Sequence, residues 1–85
     1  MRHFEYQPSP MVCCKKIAFD IDSDNKIYNL VFTGGCNGNL KAISKLCEGQ
    51  DASSISEILK GNTCGPRSTS CGDQLSLALS SALNE

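Results

Sequence analysis

The sequence predicts an α+β fold, a small antiparallel sheet packed with three helices. Two stretches of two-residue alternation in its first half and three of helical periodicity in its second carry that prediction. In residues 15–22, Ile17, Phe19 and Ile21 fall on one face, and Lys16, Ala18, Asp20 and Asp22 on the other, as in a half-buried strand. Ser23, Asp24 and Asn25 are turn residues, with Asn25 suited to left-handed backbone. Residues 26–33 alternate again, with Tyr28, Leu30 and Phe32 together, so the two stretches form a hairpin. Upstream, Phe4 and Tyr6 flank Glu5 and suit a third, edge strand. Pro8, Ser9 and Pro10 exclude regular structure after it.

The helices follow. Leu40, Ile43, Leu46 and Cys47 recur at helical spacing, and Gly49 caps the end. Residues 51–60 form a second helix, with Ser54 and Glu57 as a capping-box pair, Ile55, Ile58 and Leu59 facing inward, and Gly61 as the stop. The third helix runs over residues 71–83. Its stripe is Leu75, Ala78, Leu79, Ala82 and Leu83, with Leu77 off it. Ser70 is its N-cap, and Asp73 gives an acidic form of the capping box. The expected core is Ile17, Phe19, Leu30, Phe32, Leu40, Ile43, Ile58, Leu75 and Leu79.

The 85 residues suit one domain, 1–85, with a modest core. A net charge of -1 and the lack of a basic stripe exclude a nucleic-acid platform. No apolar run approaches a bilayer span, so no membrane partner is expected. The first residues, Met1 to Tyr6, lack the apolar stretch of a signal peptide, which predicts a cytoplasmic location. Asp20, Asp22 and Asp24 have the spacing of a calcium loop without its glycine and distal glutamate, and read as a solvated hairpin face. Gly34, Gly35 and Gly38 allow close backbone approach but match neither a Walker nor a dinucleotide pattern. His3, the single histidine, reads as an exposed terminal residue.

Chemistry concentrates in six cysteines: Cys13, Cys14, Cys36, Cys47, Cys64 and Cys71. A reducing compartment favours metal or redox chemistry over disulfides. Cys71 lies in the first turn of a helix, where orphan N–H groups stabilise a thiolate. Cys64 precedes the Gly65-Pro66 turn, which folds the chain back, so both sulfurs can face one pocket. Antiparallel pairing brings residues 15 and 33 to one end of the hairpin. Cys13 or Cys14 then lies near Cys36, and Cys64 and Cys71 join them if the last helix packs across that end. Structural zinc takes four soft ligands, usually from C-x2-C knuckles, and these are absent here. Spacing alone therefore leaves metal, disulfides and unconnected thiols open. Cys47 lies on an apolar stripe and reads as core.

Cys13, the hairpin, the run from Phe32 to Leu40, Cys64-Gly65, and the run from Thr69 to Leu75 together resemble the TSCPD domain family. The resemblance covers about residues 6–83, with Gly72 where the family's Thr-Ser-Cys-Pro-Asp motif has proline. It implies metal binding, with zinc the expected cofactor and the ligands on Cys13, Cys36, Cys64 and Cys71. Cys14 is the substitute for Cys13, and Cys47 stands outside the set. Some ribonucleotide reductases carry this domain at their C-terminal end. The resemblance therefore also implies a reductase as partner, a link to DNA synthesis and nucleotide binding, and the enzyme name ribonucleoside-diphosphate reductase. A chain of 85 residues cannot hold a reductase barrel, so catalysis by it alone is not expected. A more distant similarity is to iron–sulfur scaffold proteins of the IscU type, which share the order of elements. It implies a cluster held by Cys13 or Cys14, Cys36 and Cys71. The expected function is thus a small metal-binding module with a structural or partner-binding role. A reductase accessory and an iron–sulfur protein are the alternatives.

Overall fold

The alternation around Ile17, Phe19 and Ile21 becomes the inner face of a central strand. In a computed structural model that describes residues 1–35, 37–63, 65 and 68–84, β1 (Arg2–Tyr6), β2 (Cys14–Ile21) and β3 (Ile27–Gly34) form an antiparallel sheet in that order. Phe4 pairs with Phe19 across β1 and β2, their rings stacked with centroids 5.6 Å apart. The edge strand expected around Phe4 and Tyr6 is therefore present. Three helices follow: α1 (Asn37–Cys47), α2 (Ala52–Leu59) and α3 (Cys71–Leu83). α1 packs on β3, while α3 lies between β2 and α2. Ser56 Oγ donates to the Ser76 carbonyl at 2.9 Å and ties α2 to α3.

The core fills the space between sheet and α3. Ile17, Phe19, Ile21, Ile27, Leu75 and Leu79 are its largest fully buried side chains. Leu30 and Leu40 are also buried, and Phe32 and Ile43 are half-buried. α3 is covered on two sides, so even Gln74 and Ser76 are buried.

Several local readings differ from the structure. Tyr28 does not share the inner face with Leu30; Ile27 does. Asn29 is left-handed (φ 56°), and a register shift falls between the pairs Ala18–Val31 and Asp20–Tyr28. One extra residue reverses the alternation, as a bulge does. The bulge is held from outside: Asn29 N donates to Glu48 Oε1 at 2.9 Å, and Ile27 N to the Gln50 carbonyl at 2.9 Å. The hairpin turn meets its expectation, with Asn25 left-handed (φ 61°). Asp22 does more than face water, since its Oδ1 accepts from Asp24 N and Lys26 N, both at 2.9 Å.

The capping residue of α2 is Asp51, not Ser54. Asp51 Oδ2 accepts from both Ser54 N and Ser54 Oγ at 3.0 Å. Ile58, expected in the core, is 74% exposed, because Ala52, Ile55 and Leu59 make the inward line and Ile58 sits about 100° from Leu59. Leu46 is 75% exposed for the same reason, one residue from the buried Cys47. Cys47 is core, as expected.

The outer face of the sheet carries charge. His3 Nδ1 lies 2.7 Å from Asp20 Oδ1 and its Nε2 3.2 Å from Glu5 Oε2. Bonding to Asp20, then to Glu5, raises His3 above its ordinary 6.5. Bonding from Asn29, then His3, lowers Asp20 below its ordinary 3.8. The raised His3 stabilises the fold fully below 6.5, and that contribution is lost as pH rises through its folded pKa. The lowered Asp20 contributes above 3.8 and loses this as pH falls through its own folded pKa. His3→Gln should flatten the decline in melting temperature as pH rises above about 6.5; an unchanged profile would show that this pair does not govern it. Urea melts should also separate the two exposure classes. Ile58→Lys should change stability by less than about 0.5 kcal/mol, and Leu79→Ala should cost about 2–5 kcal/mol.

Candidate metal centre

The site is built at the start of α3. Ser70 has extended backbone (φ -152°, ψ 172°), and its Oγ accepts from Asp73 N at 3.1 Å, the expected N-cap. The same hydroxyl donates to the Asn62 carbonyl and accepts from Asn62 Nδ2. Asp73 reaches beyond its own helix: Oδ1 accepts from Gly61 N at 2.7 Å and Oδ2 from Thr69 Oγ1 at 2.5 Å. Gln74 completes the set. Its Nε2 donates to Thr69 Oγ1 at 3.0 Å, and its Oε1 accepts from Ser9 N at 2.9 Å. Thr69, Ser70 and Gln74 are buried. The stretch from Thr69 to Gln74 thus fastens the segments around Ser9 and residues 61–62 to the turn that carries Cys71. Gly72 leaves room for this clamp, since a Cβ there would lie 3.2 Å from Asn62 Nδ2.

The clamp brings the N-terminal segment over the helix start. Val12 N donates to the Ser9 carbonyl and Met11 N to Ser9 Oγ, both at 3.2 Å, forming a turn just ahead of Cys13. Cys13 Sγ then lies 3.9 Å from Cys71 Sγ. Cys13 is exposed and Cys71 is 8% exposed. Gly35, at φ +84°, backs onto Cys13. A Cβ at that position would stand 3.2 Å from Cys13 Sγ and 3.0 Å from Leu40 Cδ1, so a larger residue would strain the backbone and press on both side chains. Cys14 is turned into the core beside Cys71. Burial, then its hydrogen bond with Cys71, pushes its thiol up to about 12. Cys47 is raised by burial alone, within the core.

A cleft of about 190 Å³ opens at the two sulfurs, bordered by Val12, Leu40, Asn62 and Thr63. Of the predicted ligands, the structure brings Cys13 and Cys71 together, with Cys14 adjoining them. Cys36 and Cys64 lie outside the described residues. Their chain neighbours, Gly35 and Thr63, are at the site: one abuts Cys13 Sγ and the other lines the cleft. Among the described residues, no three His, Cys, Asp or Glu side chains are grouped to hold a metal ion. Sequence reasoning missed Ser9, Asn62, Thr69 and Gln74. Their sequence signal was the density of polar side chains around a cysteine that begins an apolar helix. Asp73→Ala should cost about 1–3 kcal/mol in a urea melt, from losing two partners at once. It should also speed amide exchange at Gly61; unchanged exchange there would contradict the clamp.

The family model described as TSCPD domain matches residues 3–83. No curated protein and no solved structure matches. With the match spanning nearly the whole chain, and Thr69, Ser70, Cys71 and Asp73 fixing the start of α3, this protein belongs to the TSCPD domain family.

Proposed function

We propose that this chain is a small metal-binding module in which Cys13, Cys36, Cys64 and Cys71 hold zinc as thiolates. One observation carries the reading: the 3.9 Å between Cys13 Sγ and Cys71 Sγ. Tetrahedral zinc with bonds of about 2.3 Å sets neighbouring sulfurs about 3.8 Å apart. A disulfide would require about 2.05 Å. The two thiols stand at a separation that suits two ligands on one ion and that a thiol–thiol hydrogen bond also has. Cys36 and Cys64 enter the proposal through the family motif and through Gly35 and Thr63 at the site. Cys14, next to Cys13 in the chain and beside Cys71, is the substitute ligand for Cys13.

Four thiolates make a closed site, so its role is structural or partner-binding. Bound there, zinc would supply a common anchor for the N-terminal segment, the β3–α1 connection and the start of α3. Association with a ribonucleotide reductase, as accessory rather than catalyst, rests on family membership. Copurification of a reductase subunit with the tagged chain tests it. A cluster in place of zinc would show as iron, sulfide and visible absorption in anaerobically prepared protein.

Serine variants test the ligand set. Each of Cys13→Ser, Cys36→Ser, Cys64→Ser and Cys71→Ser should lower zinc content by elemental analysis, whereas Cys47→Ser should leave it unchanged. Loss of zinc in Cys47→Ser, or retention in both Cys13→Ser and Cys71→Ser, would contradict the assignment. Because thiolate ligation releases protons, zinc affinity should fall as pH drops. Under reducing conditions a chelator should lower the melting temperature and speed amide exchange around Cys71 first, leaving the sheet folded. Complete unfolding, or no change at all, would each count against this division between site and core.

A further inference from the structure

A second hollow of the molecule is larger than the thiol cleft. It is a groove of about 440 Å³ between β3 and α1, with Leu30, Val31, Phe32 and Leu40 among its apolar lining and Lys41 and Lys45 along its α1 side. Three features set it apart from ordinary surface. First, β3 is an edge strand, and its outer side is covered only over its first half. There Ile27 bonds Gln50 and Gly49, and Asn29 bonds Glu48. Beyond Asn29 no strand neighbours β3 on that side among the described residues, and Val31 is 55% exposed. Second, Lys41 and Lys45 stand four apart on one helix, a like-charge spacing that disfavours the helix carrying it. Both are exposed, and among the described residues neither has an ion-pair partner. Third, no acidic side chain lines the groove among the described residues. The stem of a third lysine, Lys15, lies 3.6 Å from a Cβ built on Gly34 at its end.

An open strand edge offers main-chain donors and acceptors, the apolar lining takes alternate side chains, and unpaired lysines seek carboxylates. The geometry points to a docking site for an extended acidic peptide segment of a partner protein, added along β3 at Val31–Gly34 with its carboxylates on Lys41 and Lys45. A second copy of the chain fits less well. Two-fold pairing of β3 with itself would bring two sets of these lysines to one interface. A small apolar carboxylate would satisfy the lysines but would leave the strand edge unused. The inference does not depend on the metal reading, since no cysteine thiol enters it.

The test is selection of a random peptide library displayed on phage against the purified full chain, followed by amide chemical-shift mapping of the selected peptides. The expected peptides alternate apolar residues with Asp or Glu. They should shift amides of Val31 to Gly34 and of α1, and weaken with added salt. Lys41→Glu combined with Lys45→Glu should reduce their affinity about tenfold or more while leaving the unbound spectrum folded. If this variant were to unfold, Lys41→Gln with Lys45→Gln gives the same comparison with less charge change. Selected peptides without acidic residues, shifts mapping elsewhere, or affinity indifferent to both variants would overturn the proposal. So would shifts of β3 that grow with protein concentration in the absence of peptide, which would assign the edge to a second copy. Shifts produced by octanoate but by no selected peptide would assign the groove to a small ligand instead.

Discussion

The site depends on the hydrogen bonds gathered at the start of α3. Asp73 and Ser70 hold residues 61 and 62, and Gln74 holds Ser9, all at the turn that presents Cys71. Ser9 lies 65 residues from Gln74 in the chain, and the part-buried and buried members of the set, Ser70, Asn62, Thr69 and Gln74, fix one another through directional polar pairs. Such a network is costly when incomplete, because each orphaned buried group keeps its desolvation penalty. Here the buried side-chain polar atoms among the described residues are all satisfied. The approach of Cys13 to Cys71 lies at the end of this arrangement and adds a thiol–thiol hydrogen bond to it.

α3 thereby belongs to two systems. Its first turn is polar and carries the clamp, while Leu75, Ala78, Leu79 and Ala82 further along close the core against the sheet and α2. The core is built mainly from side chains other than the thiols, on the inner faces of β2 and β3 and on α3. That is the physical difference from a small zinc finger, whose core cannot form until the metal gathers its ligands. In this fold a metal would tighten one end of a structure that already has a hydrophobic interior. The docking groove lies on β3 and α1, so the two candidate sites meet at the Gly34–Gly35 connection.

What was legible in the sequence is what local physics decides. The alternation of Ile17, Phe19 and Ile21, the left-handed Asn25, the Ser70 cap, the bounds of α3 and the burial of Cys47 each follow from a few neighbouring residues. The reversal that buries Ile27 in place of Tyr28 was not legible, because the bulge at Asn29 is held by Glu48 and Gln50, about twenty residues away in the chain. Ile58 and Leu46 were misplaced because apolar periodicity shows that a helix has an inner face without saying how wide that face is. At the site, the helical setting of Cys71 was readable, but the reach of Asp73 to Gly61 was not. Cys13 and Cys14 were indistinguishable by spacing. Pleating separates them, since adjacent residues at a strand start point to opposite sides, and Cys14 takes the core side.

We propose that the thiols at this clamp share one metal ion. X-ray absorption at the zinc edge, on full-length protein purified under reducing conditions, tests it most directly. The account predicts one zinc per chain with a shell of four sulfurs at about 2.3 Å. A shell dominated by nitrogen or oxygen, or protein that binds no zinc when it is supplied, would contradict it.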